Sequence, residues 1–222
     1  MVNFGAVWGN LGFLLEASWL TVYLSFLSFL VALAIGVLIG TWRALGAPRG
    51  IEWMMVTYIE IFRGTPLLVQ LFFIYYGLPQ VGIAMSAHHA AILGLSLNFG
   101  AYMSEIVRSG MGAIDHGQHE AARALGMNAW VRLRYIIYPQ ALRITLPPLT
   151  NTYAAILKDS SLVSVLSITE LTRAGQLIYV RTYEPFEIYL TLAVFYFVMT
   201  FSISRMARLL EIRLNSGYGK SA

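Results

Sequence analysis

The sequence predicts an all-α membrane protein of about five transmembrane helices. Hydrophobic residues make up 58% of the 222 positions and charged residues only 12%, about half the charged share of a typical soluble domain. Mean hydropathy is +0.66. No charged residue falls between Glu16 and Arg43, and at ~1.5 Å per residue that run outlasts a hydrocarbon core about 30 Å thick. Uninterrupted apolar runs of this kind exclude a soluble protein with a large core. The net charge of +4 reflects orientation in a membrane rather than nucleic-acid binding. The absence of cysteine excludes disulfides, thiolate metal sites and a cysteine nucleophile.

Residues 1–16 form an N-terminal segment without Lys or Arg. It lacks the basic start of a cleaved signal peptide, so the first span is expected to be retained. That span covers residues 17–42. It contains Gly36-x-x-x-Gly40, which is either a small-residue face for a second helix or a chance pair of glycines. A short loop with Arg43 and Arg49 follows. The second span, 51–78, is interrupted by Glu60, Arg63, Gly64 and Pro66. Residues 79–88 make a turn without Lys or Arg, and the third span covers 89–107. A polar segment, 108–134, precedes a fourth span that starts near Tyr135 and contains Arg143 and Pro147-Pro148. Residues 158–187 mix polar and apolar character, as re-entrant or interfacial helices do. The fifth span covers 188–204, and the tail carries Arg205, Arg208, Arg213 and Lys220. Tyr153, Tyr179 and the run Phe195-Tyr196-Phe197 read as packing or interface residues.

Five spans put the termini on opposite sides. Arg43, Arg49, Arg123, Arg132, Arg134 and the basic tail share one side, and the positive-inside rule makes that side cytoplasmic. The N-terminus and the 79–88 turn then lie outside. Lys158, Arg173 and Arg181 are exceptions on the outer side, so their segment is not a simple lipid-facing loop. The sequence shows no internal repeat, no low-complexity tract and no soluble domain.

Within the polar segment, Glu120 to Leu125 is a run of good helix formers, and Gly126 is placed to end it. Asp115 or His116 can cap the start. Taken alone, this is either a connector or a docking surface. His116 and His119 have metal-ligand spacing, but no third or fourth ligand accompanies them, so no metal site is expected. The pattern resembles the EAA loop of importer permeases of the ATP-binding-cassette (ABC) type. In that loop Glu-Ala-Ala is followed by Gly and then by Ile-x-Leu-Pro. Glu120, Ala121, Ala122, Gly126, Ile136 and Pro139 fall in register, and only the Leu is replaced, by Tyr138. The resemblance implies a cytoplasmic coupling helix, about 116–127, seated in a groove of a separate ATPase. Glu120, Ala121, Ala122 and Gly126 are the coupling positions. Tyr138 is expected to cost little, because its ring can be buried where the span begins.

The stretch Glu60-Ile-Phe-Arg63-Gly64-Thr65-Pro66-Leu-Leu-Val-Gln70 puts Arg63 about 18 Å into its span, near the midplane. Charges at that depth are costly and are paired or functional. Glu60 and Arg63 can pair at i, i+3. Gly64 and Pro66 break the helix, and freed N–H groups beside a cation make a site for an anion such as a carboxylate. The bland reading is a kinked span with a Glu–Arg staple. Arg63 to Gln70 resembles the second-span motif of the polar amino acid branch of ABC permeases, which implies that it lines the transport path.

On the third span Asn98, Tyr102 and Glu105 form one polar stripe, and Arg108 can pair with Glu105. Their alternative role is hydrogen bonding between helices. Lys158, Asp159, Ser160 and Ser161 can hold a zwitterion, with Asp159 and Ser160 favoured because an ammonium needs an acceptor. Lys158 and Asp159 can instead pair with each other. This run resembles the same family.

The resemblance covers nearly the whole chain and implies a type I ABC importer permease fold over residues 17–212, with a cytoplasmic tail at 213–222. It implies a permease subunit for polar amino acids in a bacterial inner membrane, paired with an identical or similar second permease. Two ATPase subunits would carry ATP and Mg, and an extracytoplasmic binding protein would deliver the substrate. The chain has no G-x-x-x-x-G-K-[ST] phosphate loop, so no catalytic residue, cofactor or metal is expected in it. The substrate-pathway candidates are Glu60, Arg63, Gly64, Thr65, Pro66, Asn98, Tyr102, Glu105, Lys158, Asp159, Ser160 and Ser161. The competing reading is an ion-coupled secondary amino acid transporter with Glu60, Glu105 and Asp159 as relays. Five spans without a repeat argue against it.

Overall fold

Small residues at helical spacing organise the packing. In the computed structural model, which describes residues 3–215, the short helix α1 (Gly5–Gly9) leads into α2 (Leu11–Ala44). The buried face of α2 reads Leu14, Ala17, Thr21, Leu24, Ser28, Ala32, Gly36 and Gly40. Its bulkiest exposed side chains, such as Trp19 and Leu38, lie on the opposite face. In lipid there is little hydrophobic force between helices, so association depends on close approach of small residues. A Cβ on Gly36 would sit 2.5 Å from Met103 Cβ, and one on Gly40 would sit 2.5 Å from the Ser104 carbonyl. The Gly36-x-x-x-Gly40 face is therefore a contact surface for α5 (Ala87–Gly112). On this face Thr21 Oγ1 donates back to the Ala17 carbonyl of its own helix at 2.9 Å, whereas the buried Ser28 hydroxyl has no hydrogen-bond partner among the described residues.

The second span is two helices rather than one. α3 (Arg49–Gly64) and α4 (Leu67–Phe72) meet at Thr65 and Pro66, both extended. The chain continues from α4 through a π turn and a 3₁₀ turn to Val81. The bend between Arg49–Gly64 and Leu67–Val81 is 107°. Tyr58 Oη, donating to the Leu97 carbonyl at 2.6 Å, ties α3 to α5. Ser86 caps α5 by accepting from the His89 N–H.

After α5 come α6 (His116–Ala124), α7 (Ala129–Arg132) and α8 (Tyr138–Asp159), with a π turn joining the last two. Val107, Met111, Ile114, Leu133, Ile137 and Ala141 form a buried cluster where α5 meets the π turn and α8. Tyr138 packs on this cluster, half-buried, and its hydroxyl bonds Thr41 Oγ1 at 3.0 Å.

A 3₁₀ turn from Ser160 leads to α9 (Leu171–Thr182), and α10 (Pro185–Asn215) ends the described chain. The mixed segment 158–187 is thus a helical turn plus a short helix, folded against α2 and α10. Glu170, fully buried, caps α9: it accepts from the Arg173 N–H at 2.8 Å, the Thr172 N–H at 2.9 Å and Tyr196 Oη at 2.9 Å. The Leu171 N–H donates to Thr21 Oγ1 at 3.0 Å. Tyr196, expected only to pack, is a hydrogen-bonding member of this anchor.

Among the described residues three helices, Leu11–Ala44, Ala87–Gly112 and Pro185–Leu209, are long and apolar enough to cross a membrane, and the bent pair supplies a fourth crossing if it counts as one. α8 is expected as a span but does not pass on composition. Its 22 residues reach about 33 Å, yet it carries Arg143, Lys158 and Asp159. It packs against α2, α5 and α10, and a helix shielded by others need not be uniformly apolar.

Candidate functional site

The break in the second span is held open by side chains. Ending α3 at Gly64 leaves carbonyls without helical partners. Thr65 Oγ1 donates to the Ile61 carbonyl at 2.8 Å. Gln70 Nε2 lies 2.9 Å from the Phe62 carbonyl, 3.1 Å from the Thr65 carbonyl and 2.8 Å from Thr65 Oγ1. Asn98 Nδ2, from α5, donates to the same Phe62 carbonyl at 2.9 Å and to Gln70 Oε1 at 3.1 Å. Pro66 has no N–H, so the first turn of α4 begins without a donor to lose.

This break opens onto a cavity of about 980 Å³ between α3, α4, α5 and α8. Arg63, Thr65, Pro66, Asn98, Tyr102, Glu105 and Asp159 line it. Seven of the pathway candidates thus come together from segments far apart in sequence. Arg63 does not pair with Glu60: no ion pair joins them among the described residues. Its guanidinium lies 5.2 Å from the Tyr102 ring centroid, where the ring's negative face attracts a cation. Glu60 is exposed and lies outside the cavity wall.

Glu105 is held at the cavity edge. One carboxylate oxygen meets Arg43 Nη1, and the other lies 2.8 Å from Arg108 Nη2. Arg43 also reaches Glu52 on α3, at 3.1 Å. The sequence pairs Glu105 with Arg108, but the Arg43 and Glu52 links emerge only when three helix ends meet.

Asp159, at the end of α8, is half-buried and accepts no hydrogen bond and makes no ion pair among the described residues. Lys158 is exposed and does not line the cavity. Gly64, Ser160 and Ser161 also lie outside the cavity wall. The Ser160 hydroxyl is spent locally, donating to the Leu157 carbonyl at 2.8 Å. The cavity therefore offers one cation without an ion-pair partner, Arg63, and one anion without one, Asp159, beside the paired Glu105 and neutral hydrogen-bonding groups. That is the complement of a zwitterion.

Gln70 was missed as a site-building residue. Its signal is a lone amide in the apolar run Leu67–Phe72, where an amide needs partners. Asn151 and Thr152 on α8 also line the cavity and carry no distinctive motif.

The polar loop forms a discrete exposed helix, α6. Asp115 caps it by accepting from the Gly117 N–H at 2.7 Å. Its far end is a Schellman closure: the Met127 N–H reaches the Ala122 carbonyl at 3.1 Å, and the Gly126 N–H reaches the Arg123 carbonyl at 2.9 Å. Gly126 has φ +74°. Ala122 is buried, anchoring the helix, whereas Glu120 and Ala121 are exposed. Glu120 lies 3.2 Å from His116 Nδ1. No group of three or more His, Cys, Asp or Glu able to hold a metal occurs among the described residues.

Residues 32–216 match the family described as "Binding-protein-dependent transport system inner membrane component". The glutamine transport system permease protein GlnP of Escherichia coli (strain K12) is 37% identical over 214 residues, covering 96% of this chain and 97% of that protein. The nopaline transport system permease protein NocM of Agrobacterium fabrum (strain C58) is 39% identical over 212 residues, covering 91% and 88%. A crystal structure of an amino acid ABC transporter with histidines superposes with a TM-score of 0.89 at 39% identity, covering 96% of this chain and 99% of its own. An inward-facing MetNI methionine ABC transporter superposes with a TM-score of 0.81 at 20% identity, a likeness of fold alone.

Proposed function

The chain belongs to the inner-membrane-component family of binding-protein-dependent transport systems and has the type I ABC importer permease fold, and from that membership we propose that it is the permease subunit of an ATP-driven importer of polar amino acids. The observation that carries the substrate class is a pair of opposite charges without ion-pair partners, Arg63 and Asp159, lining one cavity. Arg63 receives the substrate carboxylate, aided by N–H groups at the start of α4. Asp159 receives the ammonium. Thr65, Asn98 and Tyr102 complete the lining and orient the bound molecule. Gly64 supplies the break rather than a contact.

α6 is the surface on which an ATPase subunit docks, with Glu120, Ala121 and Ala122 on the helix and Gly126 closing it. ATP and Mg belong to that subunit. A second permease, identical or similar, faces the cavity from the other side, and an extracytoplasmic binding protein delivers the amino acid. The positive-inside distribution puts α6 and the C-terminus in the cytoplasm of a bacterial cell and the N-terminus outside. Closure of the ATPase pair, transmitted through α6, alternates access to the cavity. The ion-coupled alternative is weaker, because Glu105, one of its relay groups, is already held by Arg43 and Arg108.

The test is uptake by proteoliposomes containing the chain, its ATPase subunit and its binding protein. Each lost charge-assisted contact is worth about 1.5–3 kcal/mol, so Arg63→Gln and Asp159→Asn should each weaken uptake about tenfold or more while the subunits still co-purify. Wild-type uptake rates in both variants would remove the charge pair from the site. Uptake driven by a proton gradient without ATP would overturn the reading as a whole.

A further inference from the structure

A second polar pocket, of about 350 Å³, lies where the ends of α2 and α5 meet α6 and α7. Arg43, Arg108, Arg132, His116 and His119 line it, and no carboxylate does. Its floor is the apolar cluster containing Met111, Leu133 and Ile137. From outside the pocket Glu105 engages Arg43 and Arg108, Glu52 engages Arg43, and Glu120 lies 3.2 Å from His116 Nδ1. Those contacts use Nε and Nη1 of Arg43 and Nε and Nη2 of Arg108, so each guanidinium keeps a further N–H-bearing nitrogen. Arg132 makes no ion pair among the described residues. The imbalance is felt locally: burial, together with Arg132, His116 and Arg123, pushes the His119 imidazole below its usual range. Leu45, at the pocket's edge, and Trp42 near the end of α2 are exposed and continue its apolar surface.

We propose that this pocket binds the phosphate of an anionic phospholipid headgroup from the cytoplasmic leaflet. A phosphate diester suits guanidinium forks, which bind it with paired N–H groups. Basic pockets between membrane-spanning helices on the cytoplasmic side take such headgroups. The exposed end of α2 supplies the acyl-chain contact that a soluble phosphate does not need. Because Glu105 shares Arg43 and Arg108 with the pocket and also lines the substrate cavity, an occupying headgroup competes for the same guanidiniums and links lipid composition to the cavity edge. The leaflet assignment rests on the sidedness argued above; the headgroup chemistry does not.

The experiment is native mass spectrometry of the full chain equilibrated with equal phosphatidylglycerol and phosphatidylcholine. Wild type should retain phosphatidylglycerol at least about fivefold over phosphatidylcholine, the effect of one basic residue at a membrane surface. Arg132→Gln should remove most of that preference, and Arg49→Gln, an equal charge change outside the pocket, should not. Equal retention of both lipids, or equal losses in the two variants, would overturn the proposal. Displacement of the lipid by about 10 mM inorganic phosphate at fixed ionic strength would assign the pocket to a soluble phosphate instead and overturn the lipid source. The chain has no native cysteine, so labelling of Arg49→Cys reads sidedness separately. An outside label would overturn the leaflet assignment and the orientation, while the headgroup preference would still be measured on its own.

Discussion

Gly126 is the position where backbone conformation and partner docking make opposite predictions. It sits at φ +74°, and a Cβ built there meets nothing within 4 Å. A substitution therefore introduces no clash within the chain. The cost is conformational alone, about 1–2 kcal/mol for an ordinary L-residue in the left-handed region. That corresponds to a roughly 5–30-fold loss of the closed helix end. Asn tolerates this region better than Ala, since its short polar side chain bonds locally. The expected order of activity is Gly126, then Gly126→Asn, then Gly126→Ala. It should be read as substrate-stimulated ATP hydrolysis and uptake by the reconstituted complex. Thermal unfolding of the chain should shift little, because Gly126 is exposed. If the glycine instead serves to leave room for the ATPase, size governs and the order of the two variants inverts. Gly126→Ala performing as well as Gly126→Asn, or better, would refute the strain argument.

Two further outcomes follow from packing and hydrogen bonding. Gly40→Ala should destabilise the purified chain by about 1–3 kcal/mol, because its methyl group would press on the Ser104 carbonyl at 2.5 Å and on Val107 Cβ at 2.8 Å. Gly12→Ala in the same helix meets nothing within 4 Å and should be neutral or stabilising by up to ~1 kcal/mol; equal melting temperatures for the two variants would contradict the close-contact account. Gln70→Leu removes donors to Phe62 and Thr65 and should cost about 1–3 kcal/mol, with faster proteolysis near the break. Unchanged stability and cleavage would show that the break is held by other contacts.

Much of the candidate site was legible, because breaking a helix in lipid requires particular residues. Arg63, Gly64 and Pro66 declare a break wherever they occur in an apolar run. Asn98, Tyr102 and Glu105 share a face by helical spacing alone. Gly126 after Ala-Arg-Ala-Leu declares a helix end, and the Schellman closure is its local consequence. The sequence leaves alternatives open where two neighbours offer equally good local partners. Glu60 and Arg63 are well placed to pair, yet Arg63 turns to the Tyr102 ring, a partner 39 positions away. Ser160 looked available beside Asp159, but its hydroxyl closes onto the preceding turn.

The sequence by itself determined that the protein is helical and membrane-bound, that its second span breaks after Arg63, and that a polar helix with a glycine closure projects from it. Each of these depends on composition, period or backbone permission, which are local properties of the chain. Tertiary structure alone decided which charges stay uncommitted. Arg43 joins Arg108 on Glu105 only because α2 and α5 pack along Gly36 and Gly40, and Asp159 reaches the cavity because α8 delivers it there. Charge compensation is a property of distance, and distances between helices are fixed by packing rather than by order along the chain.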